Sequence, residues 1–312
     1  NSEHKMWNGL VTVGEHVGFV WKDTRGMGTG NIWNNNLRSA FSASPIIPVY
    51  DADGNYNSTV NSDWNVNDGN PYGNMMVNRY NNSKNGSLDA NVYVQIEPIK
   101  NLRFKTVYGI SYGASEYRAY TPKYQFTPQT ANTVSKVNQS HGHGLSMVWT
   151  NTLSYDFNIA TEHHINALIG SELSTYDGSN TEGSNTGLIP GFDDWDHAYL
   201  VNTNGTENKT VKGSPYDSTR GMSYFARLGW TWKERYMVNA TMRADGSSKF
   251  AKGNRWGYFP SVSAGWTISE ENFFTPLRDV VSSLKLRASW GQNGSLAALA
   301  SNLYGYGTTM VT

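Results

Sequence analysis

Hydrophobic and polar side chains alternate along most of this chain with a period of two. Val11, Val13, Val17, Phe19 and Trp21 fall on one side of an extended segment, and Thr12, Gly14, His16 and Gly18 on the other. The same rule places Leu88, Ala90, Val92, Val94 and Ile96 together, then Leu102, Phe104, Thr106, Tyr108, Ile110 and Tyr112. It recurs from Leu145 to Tyr155, Ile165 to Leu173, Met222 to Trp232, Tyr236 to Met242, Val262 to Ile268 and Leu284 to Trp290. Successive side chains of a strand point to opposite faces, so each segment predicts a strand with one apolar and one polar face.

A soluble sandwich alternates too, so the connections decide between architectures. Pro98 to Asn101, Asp156 to Thr161 and Lys233-Glu234 are short, whereas 22–87, 117–140, 176–218 and 246–257 are long. Long and short alternate along the nine strands, so an up-and-down meander gathers the long ones at one rim. Membrane barrels have that asymmetry, with short periplasmic turns and long extracellular loops. Those four segments are therefore expected to be extracellular. Trp21, Tyr155, Trp230, Trp232, Tyr236 and Trp290 lie near strand ends, where amphipathic rings favour the water–hydrocarbon boundary. Near-helical spacing of Ile32, Trp33, Leu37, Ala40 and Phe41 predicts a helix in the first long connection. Glu270 to Val280, interrupted by Pro276, predicts a kinked turn.

Composition sharpens this picture. Aromatic residues reach 13 % and charged residues only 16 %, well below the roughly 25 % charge of soluble domains. No apolar run approaches the ~20 residues of a membrane helix. The net charge is zero and gives no electrostatic reason to expect nucleic acid. Absence of cysteine excludes disulfides and thiolate chemistry. Asn1 to Lys5 does not open like a signal peptide, so if the protein is exported its N-terminal part has been removed or was never included.

Five stretches carry a family resemblance. Arg243 to Phe250 reads RADGSSKF, Gly253 to Trp266 reads GNRWGYFPSVSAGW, and Ile268 to Glu271 reads ISEE. LKLRASWGQNG follows from Leu284 to Gly294, and PIIPVYDADGNY precedes from Pro45 to Tyr56. Together they resemble the SusC/RagA-type TonB-dependent outer-membrane transporters of Bacteroidota. The resemblance implies an all-β fold, an antiparallel transmembrane β-barrel of the large 22-stranded plugged type. Only about nine or ten strands are present, so residues 1–312 are expected to be a partial barrel without the plug domain. It also implies a SusD-type surface lipoprotein as lid and a TonB complex reached through the missing N-terminal region. Oligosaccharide or peptide is the implied cargo, and outer-membrane lipid surrounds the wall. A transporter dimer is compatible with it. By parity, Arg243 and Asp245 should pair on the lumen side.

No residue pattern supports catalysis, a cofactor or a metal. Serines do not fall in a Gly-x-Ser-x-Gly turn between strand and helix. His141 and His143 share a face without a third ligand, and Asp51, Asp53 and Asn55 lack the full calcium-loop pattern. The candidate substrate or lid contacts are Trp64, Tyr72, Tyr80, Asp193, Asp194, Trp195, Tyr199 and Tyr216, rings and carboxylates outside the strong strand patterns. Packing of the loops is the competing explanation for these rings. The alternative function is a soluble or surface-attached carbohydrate-binding β-domain with no transport role, which requires both sheet faces to be covered.

Overall fold

The computed structural model describes residues 1–26, 38, 40–41, 43, 45, 47–58, 70–128 and 130–295, leaving aside the side chains of 214–217. The alternating segments become β2 (Val11–Arg25), β3 (Asn82–Ile99), β4 (Leu102–Thr121), β7 (Lys136–Ile159), β8 (His163–Thr186), β9 (Thr210–Trp232), β10 (Tyr236–Ser247), β11 (Trp256–Thr267) and β12 (Lys285–Gly291). A further strand, β1 (Ser2–Met6), pairs with β2. A two-residue pair, β5 (Tyr124–Gln125) and β6 (Ala131–Asn132), sits in one loop. The ten longer strands form one sheet in the order β1-β2-β3-β4-β7-β8-β9-β10-β11-β12, every neighbour antiparallel.

Register joins the apolar faces into one surface. Phe104 opposes Leu153, Leu153 opposes Ile169, Ile169 opposes Ala226 and Ala226 opposes Met242. Farther along, Ala167 opposes Leu228, Leu228 opposes Ala240 and Ala240 opposes Val262. Between the level of Trp230 and Trp232 and that of Tyr112 and Tyr224, the described residues of this face from β4 to β12 bear no charged side chain. Glu15 on β2, opposite Val92, breaks the rule and accepts a hydrogen bond from Ser2 Oγ (3.1 Å). The other face holds the ions: Arg103 pairs with Glu97 and Asp156, and Arg243 pairs with Asp245 and Glu172.

The apolar face is not folded against anything. Ile169 is 59 % exposed and Leu228 53 %. Among the described residues the buried apolar side chains are Val77, Ala119, Tyr120, Phe126, Val137, Leu188, Ala198 and Phe274, all at the two rims. A soluble sandwich would bury the sheet face and wet the rims, and the reverse is observed. That distribution suits a wall whose apolar face meets hydrocarbon.

Every tight connection lies at one rim: 7–10, 100–101, 160–162 and 233–235. Lys233 and Glu234 both adopt positive φ (51° and 60°), the conformation of a two-residue hairpin turn matched to strand twist. The residue 268–284 connection shares this rim and contains two 3-10 turns, Ile268–Glu270 and Asn272–Leu277. The expected kinked turn is thus present, with Pro276 inside the second. A row of rings follows the same edge: His163 lies between Trp230 and Trp232, Trp232 stacks on Tyr236, and Tyr236 on Trp266.

The strands outrun a bilayer. β7 and β8 pair without interruption over 24 residues each, about 80 Å at 3.3 Å per residue. Crossing takes only about 9–11 tilted residues. The aromatic row fixes one boundary near the tight turns, so the surplus projects at the opposite rim. This explains a difference from the sequence reading: 22–25, 82–87, 117–121, 136–140, 176–186 and 210–218 lie in paired strands rather than loose loop. Where both faces are wet, Asn, Ser, Thr and Gly can occupy either, and the hydrophobic period vanishes. Of the helix expected near residue 37, Arg38, Ala40 and Phe41 are helical, while Ile32, Trp33 and Leu37 lie outside the described residues. Trp256 and Tyr258 occupy the apolar face of β11 opposite Gly246 and Ala244.

Candidate functional site at the long-connection rim

Two surfaces meet at the rim of long connections, one on each face of the projecting strands. On the polar face, Asn85, Ser87, Ser111, Ser115, Ser146 and Asn180 line a depression of about 620 Å³. Hydroxyls and amides can exchange hydrogen bonds with sugars or peptide groups, and no carboxylate, ammonium or guanidinium lines this depression. Tyr176 lies over Gly144, where a Cβ would come within 2.8 Å of the phenol oxygen, so glycine lets the ring lie against the wall. Toward the aromatic row, a neighbouring depression of about 520 Å³ contains Glu172, Arg243 and Asp245. Arg243 Nε donates to Asp245 Oδ1 (2.6 Å) and Nη2 to Glu172 Oε1 (3.2 Å), the lumen-side pairing expected from parity. A third depression, of about 670 Å³ nearer the loops, adds Lys136, Glu182, Glu207 and Lys209.

The other face carries an aromatic cluster. Arg118 and Tyr120 continue the β4 row that begins with Tyr112, opposite Gln139 and Val137 of β7. Residues 187–203 fold down over them: Leu200 N donates to Gln139 Oε1 (2.9 Å), and Leu200 fills the space beside Gly183. Tyr80 stacks on Trp195 with centroids 5.5 Å apart, and the Arg118 guanidinium lies 3.7 Å from the Trp195 ring and 4.3 Å from that of Tyr199. Tyr120 Oη donates to the Asp193 carbonyl (2.9 Å). Asp194 accepts from the backbone N–H of His197 (2.9 Å) and pairs with its Nδ1 (2.8 Å). The His197 ring is the first cause holding that carboxyl below its ordinary range.

Of the eight sequence candidates, this cluster unites Tyr80, Asp193, Asp194, Trp195 and Tyr199. Tyr72 stands apart on the short helix Pro71–Val77, edge-on to Tyr50 and Tyr56 (both 6.1 Å) beneath an Asn70 N-cap. Trp64 lies outside the described residues. The Tyr216 backbone pairs with Gly178, and its side chain is not described. Asp51 accepts N–H bonds from Asp53 (3.0 Å) and Asn55 (2.8 Å), which makes 51–55 a side-chain-closed turn. Sequence reading passed over Arg118 and Tyr120, although their parity with Tyr112 marked the face. It also passed over the Ser/Asn wall, whose signal was Ser and Gly at successive polar-face positions of β4 and β7, Gly109 to Ser115 and Ser140 to Ser146.

Comparison with known proteins fits this architecture. The family model "TonB dependent receptor-like, beta-barrel" matches residues 21–311. The chain belongs to the TonB-dependent receptor-like β-barrel family. It is similar to a TonB-dependent receptor of Formosa agariphila, 28 % identical over 271 residues, covering 83 % of this chain and 26 % of the relative. The TonB-dependent receptor SusC of Bacteroides thetaiotaomicron is 53 % identical over 73 residues, 23 % of this chain and 7 % of SusC. Among solved structures, the RagAB peptide importer in its closed-closed and open-open states superposes with TM-score 0.68 in both, at 19 % and 20 % identity. These matches cover 93 % of this chain and 31 % of the solved one. The family member described here thus spans about a quarter of its longest-matching curated relatives, and its ten strands are part of an outer-membrane barrel wall. Its relatives are receptors and transporters, not enzymes.

Proposed function

We propose that the complete protein containing this wall imports an oligosaccharide or a peptide across the outer membrane. A TonB complex supplies energy through a region outside this chain, and a SusD-type lipoprotein covers the long-connection rim. That rim faces the medium. The carrying observation is the uncharged hydroxyl and amide wall on the polar face, above the Glu172–Arg243–Asp245 ion cluster. A solute in this depression meets replaceable hydrogen-bond partners, with the Asp89 carboxylate beside it opposite Ser111, so it is held weakly enough to leave. The aromatic cluster of Tyr80, Trp195 and Tyr199 lies on the opposite face and serves the loops and the lid rather than the passage. A water-soluble carbohydrate-binding domain is disfavoured by the open apolar face around Leu228.

Gly113 offers the test, because a Cβ there meets nothing within 4 Å on the polar face. In the full-length transporter, Gly113→Trp should lower protonophore-sensitive uptake of the cognate solute several-fold while leaving heat-modifiable barrel migration intact. Unchanged uptake would show that cargo does not pass this wall.

A further inference from the structure

The connection between β11 and β12 differs from every other at its rim. Three of its polar contacts are internal: Ser269 N donates to Leu284 O (3.1 Å), Arg278 Nε to Ser269 O (2.7 Å), and Arg278 pairs with Glu270 (3.6 Å). Phe274 is buried, 5 % exposed. Phe273, Leu277 and Val280 remain open, at 66 %, 54 % and 85 % exposed, beside Val281 and Leu284. A contiguous apolar patch of this kind marks a surface that something covers.

Two contacts give its direction. Phe273 meets Trp266 edge-on at 6.3 Å, and Glu271 accepts hydrogen bonds from Tyr236 Oη and Trp266 Nε1. Tyr236 and Trp266 belong to the apolar-face ring row that continues through Trp232. Phe273 therefore joins the connection to the ring row on the hydrocarbon-facing side of the wall. Further strands would pair in the sheet plane along the free edge of β12, which leaves this outer side uncovered. Lys233, Arg235 and Arg278 belong to the same rim, paired with Glu162, Glu271 and Glu270 in a belt of mixed charge, the kind of polar edge that lies at headgroup level.

We propose that residues 268–284 form an interfacial foot, with Phe273, Leu277 and Val280 seated among phospholipid acyl chains of the adjoining leaflet. This rests on the outer-membrane reading above. The foot holds the barrel at a fixed depth on one side, as the ring row does around the rest of this edge.

The test uses the full-length transporter in a cysteine-free background, reconstituted into phosphatidylethanolamine–phosphatidylglycerol vesicles. Nitroxides are placed singly through Phe273→Cys, Leu277→Cys and Val280→Cys, with Val262→Cys as band control and Asp279→Cys as polar control. Collisions with oxygen should exceed those with a water-soluble nickel chelate several-fold at the three foot positions and at Val262, and reverse at Asp279. Nickel dominance at the foot with Val262 still in lipid would overturn the foot alone. Protection from both reagents would reveal a protein occupant and overturn it as well. Nickel dominance at Val262 would remove the membrane reading together with the foot.

Discussion

Tyr80 lies flat on Trp195, with ring centroids 5.5 Å apart and planes 12° from parallel. The stack joins the segment entering β3 to the connection between β8 and β9, two regions more than a hundred residues apart in sequence. Arg118 supports it from β4, its guanidinium 3.7 Å from the Trp195 ring. The long connections are therefore fastened to the projecting wall at this point.

Trp195→Ala should loosen that fastening without unfolding the sheet. It removes an aromatic pair worth about 0.5–1.5 kcal/mol and a cation–π contact worth about 0.5–1 kcal/mol. Limited proteolysis should cut within 187–203 faster, while the denaturant midpoint of the barrel stays unchanged. Equal cutting rates would show that the stack contributes nothing to loop order.

Acid should loosen the same segment. The His197 ring, then its backbone N–H, lower the Asp194 pKa in the ordered loop. A depressed carboxyl pKa stabilises the ordered form above the ordinary range, and this contribution disappears as pH falls through the lowered value. Intrinsic-rate-corrected hydrogen exchange of 194–200 should quicken as pH falls below about 4. Asp194→Asn should flatten that profile. Identical profiles for both proteins would refute the role given to this carboxylate.

Adjacent positions on β9 should differ sharply. Leu228 faces the apolar side opposite Ala167 and Ala240, whereas Arg227 faces the polar side opposite Leu168 and Thr241. Leu228→Arg, one apolar-face position inside the Trp230 ring, is expected to cost about 1–2 kcal/mol of barrel stability, between the interfacial and midplane values, and Arg227→Gln within about 0.5 kcal/mol. Folding titrations into lipid vesicles measure both, and similar costs would contradict the assignment of faces.

Glu234 sits at φ 60° in the tight turn after β9. Glycine relieves left-handed strain of about 1–2 kcal/mol per residue, so Glu234→Gly should raise the unfolding midpoint in the same titration. A lowered midpoint would mean that the Glu234 side chain holds the turn.

The wall was legible from sequence because Leu228, Trp230 and Trp232 could be apolar only on alternate positions beside hydrocarbon. Tight turns were legible for the same reason: Lys233-Glu234 left no room for anything but a hairpin. The upper halves of β7 and β8 were not, since residues such as Asn138, Ser140, Ser184 and Thr186 suit either face in water and leave no period. β1 was hidden likewise, its Ser2 and Lys5 being polar on both faces. The rings of the rim cluster were recognised as chemistry, but Arg118, the cation between two of them, lay in a segment read as loop. Only pairing with Gln139 places it.

Cysteine labelling on intact cells tests the central claim most directly, using full-length transporter with Val201→Cys in the β8–β9 connection or Glu234→Cys in the tight turn. Val201 is 84 % exposed at the projecting rim. The account predicts that a membrane-impermeant maleimide labels Val201→Cys on whole cells and reaches Glu234→Cys only after the outer membrane is permeabilised. Labelling of both on intact cells, or of Glu234→Cys alone, would contradict a wall that crosses the outer membrane with its long connections outside.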